Sequence, residues 1–281
     1  MVEQGSTKKA ILDKALDLFS VQGYEATSIA QIANAVGIRK ASMYSHFKSK
    51  QEILDAIHGK MIVSCQAIPG EPLYMEDDSV MYLMARAAKR AGTPAIRTSS
   101  IRDVVAIKKE TELPVIGLVK INYPGYDSYI TPTMKEVDDL VAAGSDVVAL
   151  DCTLRKRGDG TTINEFIAQI KEKYPDIILM ADISNYEEGI NAWKCGVDIV
   201  GTTMSGYTDY TSKKDEPDYE LMRRLAADID IPVIGEGKIH YPEQAVKALQ
   251  TGVWSIVVGG AITRPMEIAQ RFMKAIDEGV E

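Results

Sequence analysis

The chain is poor in the residues that build covalent or metal-centred sites. Its 281 residues include three cysteines, Cys65, Cys152 and Cys195, far apart and without a CxxC pair. That pattern excludes a disulfide framework. Three histidines, His46, His58 and His240, are too few for a histidine-rich metal centre, so a protein that works without metal is expected. No apolar run approaches the roughly 18–20 residues that span a bilayer. The start, MVEQGSTKKAILDKALDLF, has no signal-peptide core followed by a small-residue cleavage site. A cytoplasmic protein with no membrane partner is expected. Hydrophobic residues at 46% and charged residues at 26% sit near globular averages, which excludes wholesale disorder.

What charge there is lies unevenly. Residues 1–60 carry eight Lys/Arg and six Asp/Glu, a net of +2, whereas the remainder carries 24 bases and 34 acids, a net of −10. A basic head on an acidic body predicts two parts with different partners, residues 1–58 and 59–281. Only the head could approach a nucleic acid.

The head reads as short helices. Ala10, Ile11, Ala15, Leu16, Leu18 and Phe19 form one apolar stripe, and Gly23 ends it in the position favoured past a helix C-terminus. Thr27 and Ser28 offer caps for a helix over 29–36, Gly37 makes a turn, and a third helix runs over about 39–47. This is a helix-turn-helix pattern. The string GYEATSIAQIANAVGIRKASMYSHFKSKQEIL is more specific. It resembles the DNA-binding head of TetR-family repressors, with landmarks at Gly23, Thr27, Ile29, Ile32, Ala33, Gly37, Tyr44, Phe47 and Lys50. The resemblance implies double-stranded DNA as a partner of residues 1–58, with Arg39, Lys40 and Ser42 facing base edges and Thr27, Tyr44, His46 and Lys50 on phosphates. Arg39 departs from the family, which usually has a small hydroxyl cap there, a loss worth about 1 kcal/mol. TetR repressors also continue into an all-helical domain, and this chain does not.

From residue 62 the texture changes to short β-branched runs: IVSCQ, PAIR, VIGLVK, DVVALD, IILMADI, DIVGTT, PVIGEG and SIVVGGA, starting 21 to 34 residues apart. Amphipathic stretches, VMYLMARAAKRAG, TMKEVDDLVAAG, INEFIAQIKEKY, YEEGINAWKCG, YELMRRLAADI and YPEQAVKALQTG, lie between them. This alternation predicts an α/β fold, a parallel (β/α)8 TIM barrel preceded by a small all-α helix-turn-helix domain. An open doubly wound sheet is the alternative, although the glycine-rich dinucleotide fingerprint after the first strand is missing.

Barrel enzymes carry their reactive groups at the C-terminal ends of strands. In order, those ends are Gln66, Arg97, Lys120, Asp151, Asp182, Thr203, Glu236 and Gly259–Gly260. An acid, a base and a cation gathered at one mouth point to catalysis, although Asp151 or Asp182 alone could cap a loop. GEG at 235–237 and GGAITRP at 259–265 put glycines, then Arg264, after strands seven and eight, the recurrent phosphate site of this fold.

The segments IVSCQAIPGEPLY, YITPTMKEVDDLVAAGSDVVALD, ADIS, VGTTMSGYT, IPVIGEGKIHYPEQAVKAL and VVGGAITRP together resemble the N-acetylmannosamine-6-phosphate 2-epimerase family, from about residue 52 onward. The resemblance implies conversion of N-acetylmannosamine 6-phosphate to N-acetylglucosamine 6-phosphate in sialic acid breakdown, with no cofactor or metal. It implies functional roles for Gln66, Arg97, Lys120, Asp182, Glu236 and Arg264, none of them substituted. Inverting C2 means removing a proton alpha to the open-chain aldehyde and returning it on the other face. Lys120 is the expected base, with Glu236 assisting ring opening or serving as the second acid–base; one-lysine and Lys–Glu routes both remain open. Gln66, Arg97 and Asp182 are expected to hold substrate, and Gly237, Gly259, Gly260 and Arg264 its 6-phosphate. The alternative function is a sugar-phosphate-responsive DNA-binding regulator. A homodimer is expected, because two recognition helices must sit about 34 Å apart and the barrel would have to supply that spacing.

Overall fold

The computed structural model describes residues 50–213 and 215–279. The chain divides into two compact units, Met1–Ile53 and Leu54–Glu281. Thr27, Arg39, Lys40, Ser42, Tyr44 and His46 lie outside the described residues, and Lys50 opens the first described helix, α1 (Lys50–Ile57).

Eight parallel strands follow: β1 (Met61–Cys65), β2 (Ile96–Ser99), β3 (Val115–Leu118), β4 (Val147–Asp151), β5 (Ile178–Asp182), β6 (Ile199–Gly201), β7 (Val233–Glu236) and β8 (Ser255–Val258). They pair in chain order and close into a barrel where β8 meets β1. All eight β-branched runs become strands because each side chain on a barrel wall is buried, inward or outward. One helix follows each of the first seven strands: α2 (Met81–Arg90), α3 (Ile101–Thr111), α4 (Met134–Ala142), α5 (Ile163–Lys173), α6 (Tyr186–Lys194), α7 (Tyr219–Asp228) and α8 (Pro242–Leu249). After β8 come the single turn α9 (Gly260–Thr263) and α10 (Pro265–Gly279).

The helices form for local reasons. α5 buries Ile163, Phe166, Ile167 and Ile170, the i, i+3, i+4, i+7 stripe of a core-facing helix. Its start is fixed by a capping box: Glu165 N donates to Thr162 Oγ1, and Thr162 N donates to Glu165. α3 is the barrel helix that the sequence reading did not name. Its β-branched Val104, Val105 and Ile107 resemble strand, but Ser100 accepts from Asp103 N at 3.2 Å and starts a helix there. α10 differs from the others, for none of its residues is buried and Phe272, Met273 and Ile276 are exposed.

The entry to the barrel is anchored at its N-terminal face. Trp254 Nε1, just ahead of β8, donates to Leu54 O at 2.8 Å, and the His58 ring stacks on Trp254 at 3.9 Å between centroids. Ile57 is fully enclosed beside them. This face reads as stability, whereas the chemistry-bearing side chains collect at the other end. Among the described residues, no helix is long and apolar enough to cross a membrane.

Candidate active site

A cavity of about 480 Å³ opens at the C-terminal ends of the strands. Its walls include Gln66, Lys120, Glu236, Gly237, Gly259, Gly260 and Arg264, seven of the nine residues expected for the sugar phosphate. The other two, Arg97 and Asp182, lie beneath it. The PAIR run placed Arg97 at a strand end, but β2 continues to Ser99, so Arg97 sits inside the barrel at 1% exposure.

Arg97 and Asp182 form the floor. Arg97 Nη2 donates to Asp182 Oδ2 at 2.6 Å, and Nη1 contacts Met180 Sδ at 3.4 Å. Arg97 Nε approaches Glu236 Oε2 to 3.4 Å without forming a hydrogen bond. Thr203 Oγ1 lies 2.7 Å from Asp182 Oδ1 and 3.0 Å from Glu236 Oε2. Gly201 in β6 makes room for this cluster, since a Cβ there would meet Met180 Cε at 2.4 Å. The β4–β5 register sets Asp151 level with Asp182, yet the two carboxylates serve different ends. Asp151 pairs with Arg155 at 2.6 Å and accepts from Thr153 and from Tyr129 N, so it fastens the loops after β3 and β4.

Two groups on the cavity wall have displaced acidities. Burial, then the positive field of Arg97, pushes the Lys120 ammonium below the usual lysine range. Among the described residues, no hydrogen bond or ion pair holds its Nζ. Burial also pushes the Glu236 carboxyl upward, with Asp182 adding to the rise and Arg97 opposing it. Both shifts favour the uncharged forms, a neutral amine and a carboxylic acid. Facing one cavity, such a pair can take a proton from carbon and return one.

The glycine-bearing part of the lining, around Gly237, Gly259, Gly260 and Arg264, suits an oxyanion. Gly237 has φ +102°, which turns the chain sharply after Glu236. At Gly260 a Cβ would meet Glu267 Oε2 at 2.4 Å. Arg264 is not an open cation, however: it pairs with Glu71 at 2.8 Å and with Glu267 at 3.4 Å. An arriving phosphate must compete with two carboxylates for this guanidinium. Gln66 donates Nε2 to Ser64 Oγ at 2.8 Å, while its buried Oε1 lacks a partner. A buried amide oxygen without a donor is ready to accept from a ligand.

Sequence reasoning missed Tyr129, Tyr207, Lys238 and His240, all on the cavity wall. They sit in loops after β3, β6 and β7, where no periodicity marks direction. The Tyr129 phenol is pushed up to about 12 by burial, and the His240 imidazole is pushed down by burial.

Residues 81–278 match the family described as "Putative N-acetylmannosamine-6-phosphate epimerase", and residues 11–57 match bacterial regulatory proteins of the tetR family. A Caldanaerobacter subterraneus protein named "Putative N-acetylmannosamine-6-phosphate 2-epimerase" is 52% identical over 82% of this chain and 96% of its own length. A Clostridioides difficile protein of the same name is 49% identical over 80% and 99%. Among solved structures, the N-acetylmannosamine-6-phosphate 2-epimerase from Clostridium perfringens superposes with a TM-score of 0.76, at 46% identity over 81% of this chain and 98% of that one. A Pyrococcus furiosus thiamine phosphate pyrophosphorylase, at 18% identity and a TM-score of 0.50, shares the fold alone. With that barrel matched over nearly its full length, and with the polar cavity at its mouth, this chain belongs to the N-acetylmannosamine-6-phosphate epimerase family.

Proposed function

We propose that the chain inverts C2 of N-acetylmannosamine 6-phosphate to give N-acetylglucosamine 6-phosphate. Lys120 and Glu236 facing into one cavity, with acidities displaced in opposite directions, carry this reading. In the open-chain sugar, C2 lies alpha to the C1 aldehyde. Neutral Lys120 takes the C2 proton and becomes an ammonium, and the electron pair of the broken C–H bond passes into an enolate on O1. Glu236 gives its O–H proton to the opposite face of C2, the enolate collapses to the aldehyde, and a carboxylate remains. The Lys–Glu route is favoured over a single lysine because both groups line the cavity and their acidities are displaced toward the forms this direction requires, the amine downward and the carboxyl upward. Arg97 lies below the wall and favours charge growing on the enolate. Gln66 serves recognition of the sugar, its free Oε1 accepting from a hydroxyl or the acetamido N–H, and Asp182 supports the site from beneath by holding Arg97 and Thr203.

Arg264, Gly237, Gly259 and Gly260 hold the 6-phosphate, and this remote binding orients C2 against the base. Arg264→Ala is expected to raise KM about tenfold or more, with a smaller fall in kcat as C2 is held less well; steady-state kinetics with an unaltered KM would remove Arg264 from the phosphate site. The decisive experiment is proton NMR of the full chain with N-acetylmannosamine 6-phosphate in D₂O. Product bearing deuterium at C2 supports proton-transfer epimerisation, whereas folded protein giving neither product nor exchange refutes it.

The tetR-family match at residues 11–57 supports an added role, double-stranded DNA binding through residues 1–58, with the barrel in 59–281 sensing or turning over the sugar phosphate. Duplex binding whose affinity falls steeply with salt would support it, and no retention of DNA at low salt would refute it. The exposed Phe272, Met273 and Ile276 of α10 favour a homodimer. Sedimentation is expected to give twice the chain mass, and Phe272→Glu to return it to one. A phosphorylated substrate, which does not cross a bilayer unaided, supports action in the cytoplasm.

A further inference from the structure

Thr203 follows β6 at the barrel mouth and places one hydroxyl between two carboxyl groups. Its Oγ1 is 2.7 Å from Asp182 Oδ1 and 3.0 Å from Glu236 Oε2. A hydroxyl owns one proton, and an ionised carboxylate can only accept. Both contacts can be hydrogen bonds at once only if one carboxyl brings its own proton. Asp182 receives Arg97 Nη2 at 2.6 Å on its other oxygen, a charge-assisted bond that suits the ionised form. Glu236 has no equal: Arg97 Nε stays 3.4 Å away and makes no hydrogen bond. The extra proton therefore belongs to Glu236.

We propose that Thr203 is a positioning residue that holds the proton of Glu236 ready, the Glu236 O–H donating to Thr203 Oγ1 while the threonine's own hydrogen points to Asp182. Its part in turnover rests on the epimerase reading. When Glu236 has delivered its proton to C2, the Thr203 hydroxyl rotates from Asp182 to the new carboxylate, and Asp182 keeps Arg97. One bond rotation thus serves both protonation states of the acid. The charged and titratable groups facing Glu236 are Arg97 of β2, Lys120 beyond β3, Asp182 of β5 and Tyr207 beyond β6. Burial and Asp182 favour the acid form; Arg97, a bond donated by the Thr203 hydroxyl, and Lys120 favour the carboxylate, so the direction of the Thr203 bond is what the titration decides.

The test is an infrared pH titration of the ligand-free full chain, with Glu236→Gln identifying the carboxylic acid band. In Thr203→Val, protonated Glu236 loses its acceptor, whereas ionised Glu236 can still close on Arg97 Nε. The band's midpoint is expected to fall by about one pH unit. In the same variant kcat is expected to fall about tenfold with KM unchanged, and Thr203→Ser to restore both readings. A midpoint that rises in Thr203→Val would mean that the hydroxyl donates to an ionised Glu236, and an unmoved midpoint that it does neither; both overturn the proposal. The titration needs no substrate. Wild-type protein without epimerase activity would therefore remove the enzymatic reading and leave the hydroxyl's orientation to be judged by the band alone.

Discussion

Lys120→Ala is expected to lower kcat about a hundred- to ten-thousand-fold, the range associated with loss of a positioned acid–base group. Deuterium exchange at C2 is expected to fall in parallel, because the same group breaks the C–H bond. The fold should survive. Lys120 lies just past β3, paired through its backbone with Ile130, and its Nζ makes no hydrogen bond or ion pair among the described residues. Removing the amine therefore breaks no hydrogen bond or ion pair among the described residues. The measurement is single-turnover exchange by NMR alongside thermal unfolding. A folded Lys120→Ala protein that keeps more than a small fraction of the exchange rate would take Lys120 out of the chemistry.

Arg97→Met is expected to be the opposite kind of variant, destabilising before it is anything else. Arg97 is enclosed, pairs with an equally enclosed Asp182 at 2.6 Å, and is the nearest cation to Glu236. Methionine fills much of the volume but leaves Asp182 charged in a space that water does not reach. Breaking a buried pair from one side typically costs about 3–5 kcal/mol. Adding Asp182→Asn should recover part of that loss, since the stranded charge is then gone as well. Equilibrium denaturation of the single and double variants checks this. A single variant as stable as the parent would show that the Arg97–Asp182 pair does not hold the floor of the barrel together.

Several features were legible because local sequence enforces them. The eight β-branched runs became eight strands because short apolar runs between amphipathic stretches have few other ways to bury themselves. α3 escaped notice for the same reason in reverse: its β-branched residues mimic strand, and the cap at Ser100 decides the matter. Lys120, Glu236, Gln66 and Arg264 could be named because strand ends in a closed barrel converge on one mouth. Tyr129, Tyr207 and Lys238 could not, because loop residues carry no period from which to read direction.

The sequence by itself determined the alternation of elements, the barrel and the set of polar residues at its rim. Only the tertiary structure decided what each of them faces. Closure brings Arg97 against Asp182, 85 residues away, and sinks both below a cavity whose wall carries Lys120 and Glu236. It turns Asp151, level with Asp182 in the sheet, into a fastener of loops. It sets Glu71 and Glu267 on Arg264 and one threonine hydroxyl between two carboxyl groups. Pattern along the chain follows from local propensity and burial, whereas charge, proton state and partner depend on distances that exist only once the barrel has closed.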